Sequence, residues 1–280
     1  AIPSFRGSYL SRGTDELVGE ARWLAEQGVK ELFLVSENTS SYGKDLQTGP
    51  RALELLLAEL ARIDGIEWLR VSYLQPAELR PGMIEGMLAV DKVVPYFDLS
   101  FQHAAPGVLR RMRRFGDPDS FLGLLDRVRS LAPEAGIRSN VIVGFPGETE
   151  DDFQELLGFL EEAQLDRVGC FTYSNVDGAP AKAMDGQIPE EIKQERQARF
   201  MEVQARISAA RLAAKVGRTL DVIVDEVDSE ADGLACRSRY DAPEIDGNVY
   251  IDGAGTARPG DILTVKVVEA DEHDLWAERV

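Results

Sequence analysis

The sequence predicts an α/β protein that carries a smaller all-β unit at its C-terminal end. Up to residue 173, five apolar segments rich in β-branched residues alternate with amphipathic helical segments, a pattern typical of a parallel sheet with helical crossovers. A long helical segment at 190–214 follows. Beyond Gly217 the pattern changes to short strands separated by Asp-Gly, Ala-Pro and Pro-Gly turn signals.

The individual elements follow from hydrophobic periodicity and from residues that begin or end helices. For example, Leu17, Val18, Ala21 and Leu24 share a helical face that ends at Gly28. The predicted helices cover 14–27, 50–63, 81–90, 106–113, 118–131, 149–163 and 190–214. The predicted strands cover 31–35, 68–72, 96–101, 140–143, 167–173, 219–224, 233–238, 248–251, 262–268 and 275–280. Periodicity leaves open whether the parallel sheet is doubly wound or rolled toward a barrel, and it predicts a small antiparallel barrel of oligomer-binding type for the tail.

Composition excludes several classes of protein. The 280 residues include 44% hydrophobic and 29% charged residues, with neither a signal-peptide pattern nor a membrane-length apolar run, so we expect a soluble cytoplasmic protein and no membrane partner. The formal charge of −18 disfavours non-specific nucleic-acid binding and favours a basic protein partner. Cys170 and Cys236 are most simply buried hydrophobes, because two cysteines do not bind an iron–sulfur cluster in the usual way.

Residues 140–148 form the stretch most typical of a binding site. A buried strand ends in Gly144-Phe145-Pro146-Gly147-Glu148, and an acidic helix start follows. Turns after the carboxyl ends of parallel strands commonly hold ligands, because glycine allows close approach and helix N-termini offer free N–H groups. The sequence therefore predicts a ligand cradle here, with a well-made structural turn as the alternative.

Four polar clusters fall at the predicted carboxyl ends of strands, where a β/α barrel collects its active site. They comprise Glu37 with Asn38, Gln75, Gln102 with His103, and Gly144–Glu148. His103 is a general base or ligand in one reading and a satisfied structural histidine in the other. Arg110, Arg111, Arg113 and Arg114 form a basic group that is either a solvated helix or a contact for an acidic substrate. No catalytic residue is assigned.

Several segments of the chain resemble those of a known family. They are IPSFRGSYLSR at 2–12, the YG-x-D loop at 42–45, SYLQPAEL at 72–79, DLSFQHAAPGVLRRMRR at 98–114, NVIVGFPGETE at 140–150, PEEIKQER at 189–196, FMEVQARISAARLAAKVG at 200–217 and DAPEIDGNVYIDG at 241–253. The chain is similar to the radical S-adenosylmethionine (SAM) methylthiotransferases, and within them to the branch that modifies a ribosomal protein. GFPGE is shared by many radical SAM enzymes, whereas SFQHA-x-P-x-VLRRMRR and DAPEIDG are particular to this branch.

The resemblance implies a partial (β/α)6 barrel over 1–216, including the helix at 190–214, and a C-terminal all-β TRAM (OB-like) barrel over 217–280. It also implies SAM and two 4Fe-4S clusters as cofactors, together with an electron donor. In the family a CxxxCxxC motif immediately precedes the segment that matches Ala1, and three further cysteines lie upstream. None of these six is present in this chain, so we expect a trimmed chain that holds no cluster and is inactive by itself.

The resemblance also assigns site residues, by position. Those implied to lie against SAM are Glu37, Asn38, Gln102, Ile142, Gly144, Phe145, Pro146, Gly147, Glu148, Phe171 and Tyr173. Those implied to contact the substrate are Arg6, His103, Arg113, Asp241 and Glu244. Many relatives have Gln-Asp in place of Glu37-Asn38.

The implied reaction adds a methylthio group to the β-carbon of an aspartate in ribosomal small-subunit protein twelve. Residues 217–280 contain 16 acidic and 6 basic residues, a balance of 6 − 16 = −10, and such a domain repels RNA and attracts a basic protein. A protein substrate is therefore favoured over tRNA. A tRNA adenosine methylthiotransferase and a non-catalytic module that binds a ribosomal partner are the alternatives.

Overall fold

The computed structural model contains a parallel α/β unit followed by a closed β-barrel. The structure describes residues 7, 9–228, 230 and 232–280. The helices are α1 (Thr14–Glu26), α2 (Ala52–Ala61), α3 (Met83–Leu88), α4 (Pro106–Arg111), α5 (Pro118–Leu131), α6 (Glu150–Ala163) and α7 (Glu190–Ala213). The parallel strands are β1 (Glu31–Leu34), β2 (Trp68–Val71), β3 (Tyr96–Gln102), β4 (Gly136–Val143) and β5 (Arg167–Thr172). The remaining strands are β6 (Thr219–Asp228), β7 (Gly233–Ser238), β8 (Val249–Asp252), β9 (Ile262–Ala270) and β10 (Leu275–Arg279).

Each predicted helix and strand is present, most with shifted ends. The largest shifts are in β4, which begins at Gly136 rather than Asn140, and in β6, which ends at Asp228 rather than Val224. β4 begins earlier because Gly136 and Ile137 already pair with Tyr96 and Phe97. Sequence periodicity misses this start because β4 alternates between buried and half-exposed positions, whereas the apolar run begins only at Val141. None of the helices in the described part of the chain combines the length and apolar character needed to cross a membrane.

The five parallel strands follow one another in sequence order, in a two-stranded and a three-stranded sheet that form a curved array. β1 pairs with β2, β3 with β4 and β4 with β5, all in parallel. Isolated parallel bridges from Leu69 to Val93 and from Leu74 to Leu99 join β2 to β3. The helices cover one face of the array, where the ring of Phe101 lies 4.5 Å from that of Phe121 and 5.5 Å from that of Phe159. The other face forms the concave lumen, which is what the partial-barrel prediction requires.

The C-terminal strands close into a barrel with the order β10-β8-β7-β6-β9. Its interior is apolar, with fully buried Val222, Cys236, Val249 and Val265. The predicted small barrel is confirmed, but it is not wholly antiparallel, because β10 pairs with β8 in parallel. The barrel packs against the amino ends of the parallel strands. There Ile223 and Ala242 contact Trp68 and Tyr96.

Buried charges join the two units at this end of the lumen. The Arg70 side chain is fully buried and donates to Glu31 Oε1 at 2.7 Å and to the backbone carbonyl of Arg239 at 3.0 Å. Glu31 also accepts from Arg237 Nη2 at 2.7 Å. Burial, and then the charge of the neighbouring Asp246, raises the pKa of the Tyr96 phenol. This phenol donates to Asp246 Oδ2 at 3.0 Å. These ion pairs have short distances and little access to water. The free-energy cost of burying each charge is offset by its attraction to the partner charge, so both partners must be present.

Replacing Arg70 by alanine is expected to lower the free energy of unfolding by about 3–5 kcal/mol, because Glu31 and the carbonyl of Arg239 then lose a buried donor. Chemical denaturation monitored by circular dichroism measures this. Arg62→Ala is the control, since the Arg62–Glu59 pair is exposed and its loss should cost less than about 1 kcal/mol. Equal effects of the two substitutions would contradict a structural role for the Arg70 network.

Candidate functional site

The carboxyl ends of the parallel strands meet at the open end of the lumen, which we call the mouth. The turn 144–148 follows β4 directly, and α6 begins behind it with a Thr149–Asp152 capping box. Gly144 (φ +72°) and Gly147 (φ +78°) have left-handed backbone conformations that glycine adopts without strain. The predicted strand, turn and helix start are therefore confirmed.

Glu148 lies inside the turn and ties it to α7. Its side chain is fully buried, and Oε2 accepts the Gly144 N–H at 2.9 Å. Oε1 accepts from Arg196 Nη1 at 2.7 Å. His103 Nε2 approaches Oε2 to 3.4 Å from the opposite side. The carboxylate thus links the end of β4 to a helix 48 residues away in sequence, which supports a bracing role rather than a direct ligand contact.

The other N–H groups of the turn also have partners within the protein. The Gly147 N–H donates to the carbonyl of Gly186 at 2.7 Å, and the Glu148 N–H donates to the carbonyl of Phe145 at 2.9 Å. The guanidinium of Arg111 donates to the carbonyl of Gly147. The turn's own N–H groups are therefore satisfied by the Glu148 carboxylate and by the carbonyls of Phe145 and Gly186. The turn presents a rigid wall to the mouth rather than open hydrogen-bond donors.

Lys193 explains why position 144 requires glycine. A Cβ atom at Gly144 would overlap Cγ of Lys193, whose stem crosses beneath the turn. Lys193 is buried and donates from Nζ to the carbonyl of Tyr173 at 2.9 Å, while Nζ lies 5.5 Å from the centre of the Tyr173 ring. Lys193 and Arg196 therefore hold the turn from α7. The sequence analysis did not identify either residue. The signal for their role is that both lie on the helix face that also carries buried Phe200.

An apolar surface lies beside the turn. Phe145 and Tyr173 are buried against each other, with ring centres 5.1 Å apart and ring planes at 71°. Ile142 of β4 and Phe171 of β5 are partners in the sheet register. Their neighbours along the strands, such as Val141 and Cys170, pack under the helices, so alternation directs Ile142 and Phe171 to the lumen. Phe171 is 55% exposed, so an aromatic face is open at the mouth.

The polar side chains predicted at the mouth differ in exposure and in the hydrogen bonds that they make within the protein. The Asn38 side chain donates to Ser41 Oγ and Glu78 Oε1 and accepts from Ser40 Oγ, each at 2.9–3.0 Å. Its amide thus stabilises the loop after β1. Glu37 is exposed on the same loop. Gln102, half-exposed at the end of β3, has a left-handed backbone (φ +69°).

The predicted substrate contacts are not brought together. His103 is fully buried, and Nδ1 accepts the Ala105 N–H at 3.0 Å, which leaves Nε2 facing Glu148. His103 is therefore enclosed by the protein, with Nε2 lacking a hydrogen-bond partner among the described residues. Arg113 is exposed near the mouth, with a left-handed backbone (φ +58°). Arg6 lies outside the described residues.

Asp241 and Glu244 lie at the end of the lumen opposite the mouth. Asp241 is buried at the start of β5, 3.4 Å from Arg167 Nη2, and accepts from Ser238 Oγ at 2.5 Å. Burial alone raises the pKa of Asp241, but Lys215, Arg167 and the Ser238 hydroxyl outweigh burial and lower it. Glu244 is exposed on the same loop. This loop joins the two units, and it does not face the mouth where SAM is predicted to bind.

Two family models match the chain. The radical SAM superfamily model matches residues 1–160, and the TRAM domain model matches residues 216–280. The chain belongs to the radical SAM superfamily. Coproporphyrinogen III oxidase from Escherichia coli, a radical SAM enzyme, has a similar fold, with a TM-score of 0.54 and 15% identity over 70% of this chain and 46% of that one.

The sequence relatives narrow the group within the radical SAM superfamily. Ribosomal protein uS12 methylthiotransferase RimO of Saccharopolyspora erythraea is 52% identical over 98% of this chain and 56% of its own length. RimO of Streptomyces coelicolor is also 52% identical, over 99% of this chain and 57% of its own length. The resemblance inferred from the motifs is confirmed. This chain spans a little over half the length of these relatives.

Replacing Gly144 by alanine is expected to destabilise the protein by about 1–3 kcal/mol, because a Cβ there is strained at φ +72° and displaces the stem of Lys193. Gly158→Ala in α6 is the matched control. Gly158 is exposed with nothing within 4 Å of its added Cβ, and alanine there should stabilise the helix by about 0.5–1 kcal/mol. Unfolding by denaturant compares the two. A Gly144→Ala variant as stable as the wild type would contradict the brace.

Proposed function

We propose that this chain is the SAM-binding and C-terminal part of a methylthiotransferase that adds a methylthio group to the β-carbon of an aspartate in ribosomal protein uS12. The RimO relatives, at 52% identity over nearly the whole chain, support this assignment. The structural observation that best supports the proposal is the exposed aromatic ring of Phe171 beside the turn 144–148, which Glu148 holds in place. The proposed division places the radical SAM core at 1–216 and the TRAM domain at 217–280.

The residues at the mouth fit the adenosine part of SAM. Phe171 and Ile142 offer a flat apolar surface on which a purine can stack, and such stacking is worth about 1–3 kcal/mol per base. Phe145 and Tyr173 support this surface from behind, and the turn from Gly144 through Pro146 and Gly147 closes one side. Glu37, Asn38 and Gln102 line the polar side of the mouth in this assignment. SAM, when bound, supplies the radical precursor and the methyl group.

Within the chain, Glu148, Arg196 and Lys193 position the cradle and do not contact SAM in this proposal. Their buried hydrogen bonds fix the end of β4 before any ligand arrives, so the site spends no binding free energy on ordering the turn. Because the turn's own N–H groups are satisfied, SAM would be recognised here by shape and apolar contact.

The chain's own cysteines do not fit an iron–sulfur cluster. Cys170 is buried on the helix-covered side of β5, and Cys236 is buried inside the C-terminal barrel. Burial, and secondarily a neighbouring carboxylate, raises the pKa of each thiol to about 12, so both are protonated thiols rather than ligand thiolates at neutral pH. The two 4Fe-4S clusters of the proposed enzyme would require ligands other than these, and the cluster chemistry and its electron donor belong to the whole protein.

The charge of the C-terminal unit supports a protein substrate. Its 16 acidic and 6 basic residues create a field that attracts a basic ribosomal protein and repels the phosphates of tRNA. We place the reaction in the cytoplasm, where ribosomal proteins reside.

The proposed function is tested by mass spectrometry of uS12 after incubation with the full-length, cluster-reconstituted enzyme, SAM and a reductant. The expected product is uS12 with a methylthio group on one aspartate. Phe171→Ala should raise the KM for SAM about tenfold through lost stacking. Trp23→Ala is the matched control, because Trp23 is a similarly exposed aromatic residue on α1, and it should leave that KM unchanged.

Modification of tRNA with none on uS12 would instead establish the tRNA alternative. Absence of both products from an enzyme that binds SAM would favour the non-catalytic binding module.

A further inference from the structure

The C-terminal end of α4 carries arginines where helix termination favours other residues. The Arg113 N–H donates to the carbonyl of Arg110 at 3.0 Å, and the Arg114 N–H donates to the carbonyl of Leu109 at 2.8 Å. This pair of bonds defines a Schellman motif, in which the left-handed residue is usually glycine and the next residue is usually apolar. Here they are Arg113, with φ +58°, and Arg114. Arg113 thus has a strained backbone conformation, and two guanidinium groups lie side by side in the sequence at this helix end.

Neither arginine has a carboxylate partner among the residues that the structure describes. Arg114 is half-buried, and its burial lowers the pKa of the guanidinium. Its side chain donates from Nη1 to the neutral amide oxygen of Gln75 at 3.2 Å. The chain has 49 acidic residues for 31 basic ones, so partners for a cation are plentiful elsewhere. A partly desolvated cation without an anion is costly, and such a cost is typical of a binding site awaiting its ligand.

The two guanidinium groups line a cavity of about 350 Å³ at the mouth end of β2 and β3. Other lining residues are Gln75, Ser100 and Phe115. Phe115 is 82% exposed, and Phe101 and Phe121 form an apolar wall. This volume suits a small molecule or one inserted side chain.

The acidic residue of the cavity does not neutralise the arginines. Glu78 is directed to Lys44 Nζ, at 2.5 Å, and to the hydroxyl of Ser41. Burial opposes ionisation of Glu78, but hydrogen bonds from Lys44 and Ser41 lower its pKa overall. The cavity therefore combines an apolar wall, an exposed aromatic ring and two cations without an anionic partner in the described part of the chain.

We propose that this cavity binds a carboxylate of an incoming ligand, held by Arg114 and Arg113. Arginine is suited to this role because its fork matches the two carboxylate oxygens. The side-chain carboxylate of the substrate aspartate is the first source, and this identification rests on the proposed function. The carboxylate of SAM is the second source.

The test uses N-acetyl-L-aspartate N-methylamide as the probe and its asparagine analogue as the neutral comparison. Binding to the 280-residue chain is followed by NMR of the arginine side-chain N–H groups. The aspartyl probe should bind at least tenfold more tightly than the asparaginyl probe. Arg114→Met should weaken the binding of the aspartyl probe at least tenfold. Arg110→Gln is the control, because Arg110 is on the same helix but does not line the cavity, and it should change binding less than twofold.

Stability separates a binding role from a structural one. Arg114→Met should leave the thermal midpoint equal to or above that of the wild type, since an unpaired buried cation is removed. Arg113→Gly provides a second variant that should fold, because glycine adopts φ +58° without strain. This variant should have a higher thermal midpoint and should bind the aspartyl probe several-fold more weakly. Unchanged probe binding in both variants, or no preference for the aspartyl over the asparaginyl probe, would overturn the proposal.

Two further titrations identify the source of the carboxylate. If the substrate supplies it, uS12 should bind at least tenfold more tightly than uS12 with asparagine at the modified aspartate, and Arg114→Met should abolish the difference. If SAM supplies it, the affinity for SAM should fall tenfold in Arg114→Met while the affinity for uS12 does not change. Failure of uS12 to bind any form of the chain would count against the proposed substrate, and the small probe would still decide whether the carboxylate site exists.

Discussion

The buried carboxylate of Glu148 is the interaction on which the arrangement of the mouth depends. It accepts the N–H of Gly144 at 2.9 Å and the guanidinium of Arg196 at 2.7 Å, away from water. Because an uncompensated buried charge costs several kcal/mol, the carboxylate and Arg196 must be present together. The pair fixes the end of β4 against α7, and α7 in turn leads into the C-terminal barrel. The position of the cradle and the position of the second unit thus depend on the same helix.

The two ends of the lumen have opposite characters. At the closed end, Arg70, Glu31 and Arg237 form buried ion pairs with the C-terminal unit, which seal the strands' amino ends. At the mouth, Phe171 is exposed and Arg114 lacks an anionic partner among the described residues. Buried ion pairs stabilise the first end, and the exposed aromatic ring and the cation leave the second end suited to ligands, as expected when function and stability are placed at opposite ends of a β/α barrel.

Local pattern was enough to predict the elements and the turn at 144–148. The β-branched run before Gly144 and the glycines of the turn determine a strand and a left-handed turn from a few neighbouring residues. Family resemblance then supplied the partial barrel, which periodicity could not distinguish from a doubly wound sheet, because both have the same alternation of strands and helices.

What the sequence could not show depends on partners that are distant along the chain. Glu148 is the last residue of the turn and precedes a helix, so nothing local indicates that Arg196 and His103 approach it. Asp241 looked like a substrate contact because its motif is particular to one branch of the family, yet it lies in the joint between the units. The hydrogen bond from the Gly147 N–H to the carbonyl of Gly186 could not be predicted for a similar reason, since Gly186 lies in a loop without a periodic pattern.

The most direct measurement is a double-mutant cycle on the free energy of unfolding with Glu148→Gln, Arg196→Met and the pair together. Each single variant should lose about 3–5 kcal/mol, because it leaves the partner buried without its counter-charge. The double variant should lose less than the sum by at least about 1 kcal/mol. Single losses below about 0.5 kcal/mol that simply add would contradict the account and would return Glu148 to the mouth as a ligand contact.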